Sequence, residues 1–321
     1  MDKTNITIRD VISARKFLEQ YDVKTPLRFN TILSQETGAE IYIKHENFNL
    51  SGAFKIRAAL YYVGTLPEVD RKKGLIAVTR GNHGAALAIA GKRFCTSVTV
   101  VVPVGNSIGK NRLIKSYGAE LVEYGKDYDE AKEHCEKLAA ETGKVYVHTA
   151  NIPGIIAAAG TCAYEVFEEL SDPDVLIVPI GSGGLISGTA IVRNAINPST
   201  KIIGVQAEKA NAVYRSLKEG RTVQLESCDT IADGLATRSV FELPFSIIKN
   251  NVNEVVTVSE EEIKAAICRG IESTHSLIEG ASASTIAALG KVSSYLKGMK
   301  VVLFITGANI DKEILSAAVN A

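Results

Sequence analysis

The sequence has no excess charge of either sign, with 36 Lys and Arg against 36 Asp and Glu. That balance removes the electrostatic case for nucleic acid or an anionic membrane surface as partner. Its five cysteines, Cys95, Cys135, Cys162, Cys228 and Cys268, are scattered, odd in number and never spaced C-x-x-C. A disulfide framework and a zinc knuckle are thereby disfavoured, and a reducing cytosol fits best. No apolar run is long enough to span a bilayer, and residues 1–6 hold no basic stretch leading into an apolar one, so neither a membrane nor an export route is expected. Internal repeats, low-complexity tracts and Pro/Gly-rich linkers are missing too. What is left is a globular chain of 321 residues, 46% hydrophobic. It is long enough for one large or two interlocked domains, and its expected partner is a small molecule.

Strand-like apolar runs alternate with helix-like amphipathic runs. Strands are expected over 75–79, 97–102, 120–124, 145–148, 175–180, 201–206 and 301–305. Helices are expected over 54–66, 82–94, 107–118, 127–142, 184–197, 259–277 and 281–298. That rhythm predicts an α/β fold with open, mostly parallel twisted sheets flanked by helices.

Four segments carry chemistry. In Ser51-Gly52-Ala53-Phe54-Lys55-Ile56-Arg57, small residues let the backbone turn tightly before a helix begins. A lone lysine is usually a solvated charge, but burial beside the Phe54 ring would lower its pKa and leave free, nucleophilic amine. The run Gly181-Ser182-Gly183-Gly184-Leu185-Ile186-Ser187-Gly188 follows an apolar strand. Bare N–H groups there, reinforced by the positive end of a helix, suit a phosphate. The run is not G-x-G-x-x-G, because Ile186 stands at the third glycine, and G-x-x-x-x-G-K-[ST] is absent, so a single phosphate is favoured over a pyrophosphate. A tight connection with no ligand would read the same way. Thr79-Arg80-Gly81-Asn82-His83-Gly84 is a second strand-to-helix turn, fit for a substrate carboxylate or equally for a simple loop. His83 is read as fixed by local hydrogen bonds, not as a general base. Thr306-Gly307-Ala308-Asn309 ends the last strand-like run and offers a hydroxyl where ligands of open α/β sheets gather. An amine that forms an imine and a cup that holds a phosphate are what pyridoxal phosphate needs.

Taken in order, these runs resemble the fold-type II pyridoxal phosphate enzymes (tryptophan synthase β-like), and within them the threonine/serine dehydratase and serine racemase group. The likeness extends to Thr25-Pro26-Leu27, to residues 41–47, 110–131 and 151–160, to Asp229-Thr230-Ile231-Ala232-Asp233-Gly234 and to residues 258–263. The resemblance implies that Lys55 carries the cofactor through an imine, that Phe54 packs beside its ring and that Asn82 hydrogen-bonds its phenolic oxygen. It further implies phosphate binding by Gly181, Ser182, Gly183, Gly184 and Leu185, Thr306 at the ring nitrogen, and substrate binding by Thr79, Arg80, Gly81, Asn82 and His83. It also implies a small domain over 74–149 closing on a large domain made of 1–73 and 150–321, and a cytoplasmic homodimer acting on an amino acid. No room is left for the C-terminal regulatory domain of biosynthetic members, so feedback control of that kind is not expected.

The expected reaction is ammonia loss from a β-hydroxy amino acid such as threonine or serine, giving a 2-oxo acid. A β-replacement synthase of the cysteine synthase kind is the alternative with the same cofactor, and an amino acid sensor the alternative without catalysis. Two departures from the group stand out. Arg80 occupies the position where racemases use a serine as the second acid/base, and an arginine cannot serve as that base, so racemisation is demoted. Its side chain either leaves the loop for solvent or an acidic partner, the commoner arrangement, or turns inward to hold a second carboxylate. At the divalent-cation site of some members, Glu208 and Ala212 match but Tyr214 replaces an aspartate, so no metal is expected.

Overall fold

A computed structural model describes residues 6–320. Ten strands run in chain order: β1 Leu27–Phe29, β2 Glu40–His45, β3 Leu75–Val78, β4 Val98–Val102, β5 Glu120–Glu123, β6 Val145–Tyr146, β7 Val175–Pro179, β8 Lys201–Ala207, β9 Glu254–Val258 and β10 Lys300–Ile305. They form a six-stranded sheet, β1-β2-β10-β7-β8-β9, and a four-stranded sheet, β5-β4-β3-β6. All neighbours are parallel except β1 and β2.

The alternation of side chains along each strand divides the large sheet's apolar residues between two cores. Val175, Ile177, Val301, Leu303 and Ile305 face one core with Ile263, Ile267, Ile286 and Leu289 of the helices Glu260–Thr274 and Gly280–Val292. Leu176, Val178, Val302 and Phe304 face the other, with Cys162, Val166, Ile186 and Ala190 of the helices Pro153–Glu169 and Gly184–Ile196. Both faces of the central strands are therefore covered, which is why these strands read as unbroken apolar runs. Gly160 and Gly188 let the latter two helices meet at backbone contact, since a Cβ on Gly188 would lie 2.5 Å from the Gly160 nitrogen. The last glycine of the 181–188 run thus serves helix packing.

The small sheet shares its core with the helix Lys55–Thr65. Leu75, Ala77, Val98, Val100 and Val102 pack with Ile56, Ala59, Leu60 and Val63, and with Leu18 of the helix Ile8–Leu18. Lys55, first residue of its helix, consequently stands where the two sheets' territories meet. Some elements go beyond the sequence expectations, among them β1, β2, β9 and the helices Ile8–Leu18, Pro153–Glu169 and Glu242–Asn251. The helix expected over 281–298 spans Gly280–Val292, followed by a single 3₁₀ turn, Ser293–Tyr295.

Candidate active site

Ligands of open α/β sheets bind beyond the carboxyl ends of the strands. Here Gly181 lies just beyond β7, Thr306 follows β10 and Thr79 follows β3. Together with Phe54 and Lys55 they line one cleft of about 900 Å³, mouth included. Arg80, Gly81, Asn82, His83, Ser182, Gly183, Gly184 and Leu185 line it as well.

The loop before Lys55 is stitched to the end of β10. Phe54 donates its N–H to the Thr306 carbonyl at 3.0 Å, and Ala308 donates to the Gly52 carbonyl at 2.8 Å. Gly52 has a φ of +67°, and a Cβ there would lie 2.6 Å from Asn309 Oδ1, so only glycine makes this turn without strain. Lys55 Nζ donates to Thr149 Oγ1 at 3.0 Å and sits 4.9 Å from the centre of the Phe54 ring. Burial lowers its ammonium to about 8, with Glu279 pulling weakly the other way. At neutral pH a lysine so placed holds on the order of a tenth of its population as free amine, against well under a thousandth for an ordinary lysine.

Just behind Lys55 is a sealed ionic cluster. The Arg57 guanidinium meets Glu46 twice at 2.8 Å, and Glu165 at 2.6 and 2.8 Å. Lys44 Nζ donates to Glu165 Oε2 at 2.6 Å. Two cations and two carboxylates, all nearly inaccessible to solvent, neutralise one another, and the bidentate geometry fixes the helix of Lys55 against β2 and the helix Pro153–Glu169. Arg57 and Lys44 hold the Glu165 carboxyl below the usual range despite its burial.

The glycine run forms a cradle. Gly183 is left-handed at φ +86° and caps the helix Gly184–Ile196, whose first-turn N–H groups have no intrahelical acceptor. A Cβ on Gly181 would fall 2.0 Å from the Gly234 carbonyl oxygen, so the turn and the 233–235 segment approach as closely as backbones can. At another wall the Thr306 hydroxyl is buried 3.3 Å from Ser282 Oγ. Asn82 donates from Nδ2 to both oxygens of Glu279, at 2.8 and 3.0 Å, while its Oδ1 accepts from Asn309 at 2.8 Å. Burial raises the Glu279 carboxyl, with Lys110 and Asn82 opposing.

The histidines near Lys55 are held neutral. His83 Nε2 is 3.0 Å from the Val147 carbonyl and burial lowers its pKa to about 3. His148 accepts two backbone N–H groups at Nδ1 and is lowered to about 4, again chiefly by burial. A half-buried amine held by Thr149 with no carboxylate paired to it, a glycine cradle at a helix start and a neutral hydroxyl at another wall are the complement that pyridoxal phosphate requires.

The sequence profile described as "Pyridoxal-phosphate dependent enzyme" matches residues 18–307. The chain belongs to this family. This pyridoxal-phosphate dependent enzyme is 38% identical over 316 residues to the L-threonine ammonia-lyase of Thermotoga maritima, covering 98% of this chain and 78% of the relative. It is 34% identical to the L-threo-3-hydroxyaspartate ammonia-lyase of Saccharomyces cerevisiae, covering 95% of this chain and 94% of that one. Among solved structures, the serine racemase of Dictyostelium discoideum superimposes with a TM-score of 0.87 at 34% identity, over 95% of this chain and 99% of the other.

The cleft contains residues that sequence reasoning missed. Thr149, Lys110, Tyr128, Asp233 and Glu279 all line it. Lys110, Tyr128 and Asp233 had entered only as parts of longer similar segments; Lys110 Nζ is 2.7 Å from Asp233 Oδ2. Glu208 and Ala212, weighed for a cation, do not line it. Among the described residues no group of three or more His, Cys, Asp and Glu side chains is arranged to hold a metal. With Tyr214 in place of a carboxylate beside Glu208, EDTA is expected to leave turnover essentially unchanged. Strong inhibition restored by magnesium would refute this.

Proposed function

We propose that the enzyme is an ammonia-lyase converting a β-hydroxy amino acid to a 2-oxo acid and ammonia. When bound, pyridoxal phosphate supplies the electron-withdrawing ring that acidifies the Cα–H of an attached amino acid. The observation that carries the reading is the Lys55 amine at the cleft with an arginine, not a hydroxyl residue, at position 80 of the facing turn. Lys55, with its pKa near 8, takes the Cα proton, and Thr149 Oγ1 accepts a hydrogen bond from the resulting ammonium. Arg80, always protonated, cannot return a proton from the opposite face, and the neighbouring histidines are neutral and occupied. Backbone N–H groups where Thr79 to His83 enter the helix Asn82–Arg93 take the α-carboxylate. Thr306 offers the ring nitrogen a neutral hydroxyl in place of a carboxylate, which favours prompt departure of the β-hydroxyl. Relatives that carry ammonia-lyase names at 34–38% identity support the reading.

Residues 74–149 act as the closing lobe on 1–73 and 150–321. Contacts that bridge the two parts include Asn82 to Glu279, Asn309 to Asn82, Lys110 to Asp233, Ser107 to Asp311, Arg238 to Asp129 and Lys55 to Thr149. The enzyme works as a cytosolic homodimer, in keeping with its free cysteines.

Incubation with serine alone is expected to release ammonia and pyruvate in equal amounts. Turnover that appears only when sulfide or another thiol is added would replace the lyase reading with β-replacement.

A further inference from the structure

We infer that the Arg80 side chain receives a second carboxylate, so that the preferred substrate is a β-hydroxy amino acid bearing an acid on Cβ, of the 3-hydroxyaspartate type. The inference rests on the ammonia-lyase reading and names the substrate class for that site.

Of the two arrangements open to Arg80, an acidic partner or the cleft, the structure shows the second, with the side chain half-buried in the cleft wall. Arg80 lines the cleft, and its Nε is buried without a hydrogen-bond partner. Among the described residues no carboxylate comes within 4.0 Å of its guanidinium, whereas the neighbouring charges are already matched. Lys110 is paired with Asp233. Asp129 and Asp127 both engage Arg238. Glu279 receives the amide of Asn82. Arg80 is thus a half-buried cation at the cleft wall with no counter-ion in the free protein, and an anion entering the cleft would find its planar fork unengaged.

Its surroundings select the anion. Tyr128 shares the cleft wall; burial pushes its phenol up, and the Arg80 charge is near enough to pull it back down. At working pH it is a neutral O–H donor beside a planar cationic fork, a pair suited to a carboxylate. The substrate's α-carboxylate is taken by the backbone of the same turn, which leaves the Arg80 side chain for the group at the far end. Serine or threonine would put a hydrogen or a methyl there and leave the guanidinium unpaired.

The stoichiometry is that of the simpler substrates. The Cα proton goes to Lys55, the β-hydroxyl leaves as water, and one water then hydrolyses the released enamine. The products are a 2-oxo dicarboxylate and ammonia, and no oxidant or reductant takes part.

Ammonia release is measured for both diastereomers of 3-hydroxyaspartate, and for serine and threonine, in the wild type, Arg80→Ser, Arg80→Lys and Tyr128→Phe. The wild type is expected to prefer a 3-hydroxyaspartate diastereomer by at least tenfold in kcat/KM. Arg80→Ser is expected to shift the acidic-to-neutral ratio by about a hundredfold towards neutral substrates, through KM. Arg80→Lys, which keeps the charge and loses the fork, is expected to fall between, and Tyr128→Phe to shift the ratio the same way but less. Succinate, a short dicarboxylate, is expected to compete with substrate in the wild type and much less in Arg80→Ser, a readout that a loop merely disturbed by substitution would not give. Ammonia from serine or threonine without preference for the acid, and a ratio unmoved in Arg80→Ser, would overturn the inference and leave the lyase reading intact. Ammonia from none of the four would remove the lyase reading itself.

Discussion

Lys55→Ala is expected to lower ammonia release by at least about a thousandfold, because the one substitution removes both the amine that bonds the cofactor and the base at Cα. Wild-type protein is expected to be yellow, and borohydride to fix the cofactor on Lys55; peptide mapping to a different lysine would overturn the assignment. The geometry that makes Lys55 reactive also has a thermodynamic signature. Its folded pKa, lowered by burial to about 8, lies below the value near 10.4 of an unfolded lysine. Between those limits the unfolded chain binds more protons, so its stability rises with pH; below about 8 both states are protonated and the full burial penalty is present. Lys55→Met, stripped of cofactor, should therefore melt above the cofactor-free parent at pH 7. The gap should close as pH climbs towards 10. A lower melting point for Lys55→Met across that range would mean that the amine contributes packing or hydrogen bonding that outweighs its desolvation.

Gly181→Ala is the second substitution expected to have a large effect. The new Cβ would meet the Gly234 carbonyl oxygen at 2.0 Å and its carbon at 3.1 Å. Both are backbone atoms, so no side chain can rotate aside and either the turn or the 233–235 segment must move. Overpacking of this kind costs about 1–3 kcal/mol, sometimes more. Here the displaced element is also the phosphate cradle. Loss of cofactor absorbance on gel filtration, together with a lower melting temperature, is the expected outcome. Gly220→Ala is the matched control: φ is +69° with nothing within 4 Å of the added Cβ, so it bears only the left-handed backbone penalty of about 1–2 kcal/mol and should keep its cofactor. Equal cofactor retention in Gly181→Ala and Gly220→Ala would show that the close approach at Gly181 does not shape the cradle.

The parts of the molecule that could be read from the sequence are those whose pattern survives in one dimension. β7 and β10 are short apolar runs bounded by Gly and Thr turns, and glycine at 181, 183 and 184 announces a turn whatever surrounds it. The helix Pro153–Glu169 could not be read in the same way. It is buried nearly all round, between the helices Lys55–Thr65, Ile8–Leu18 and Gly184–Ile196, so the apolar-to-polar period that marks a surface helix is missing. β2 was hidden for a related reason: Lys44, His45 and Glu46 look like a polar loop, and only the partners Arg57, Glu165 and Thr25, far away in sequence, make that segment buried. Glu279 and Thr149 carry no local motif at all. Their roles come from what they face, Asn82 across 197 residues and Lys55 across 94.

β10 lies between β2 and β7 in the large sheet, pairing Leu303 with Ile43 on one side and with Ile177 on the other. During synthesis, then, β1 and β2 have only each other to pair with until nearly the whole chain has left the ribosome, about 250 residues later. At roughly 5–20 residues per second that wait lasts about 13–50 s. The four-stranded sheet, by contrast, is drawn from residues 75–146 alone and has all its strands in hand midway through translation. The nascent protein thus carries a formed small sheet between two unjoined pieces of the large one, whose apolar edges are open to other chains throughout that interval. Thr306 and the stitch to Phe54 come last among the residues that line the cleft, so the cofactor pocket is complete only once the chain has grown past β10.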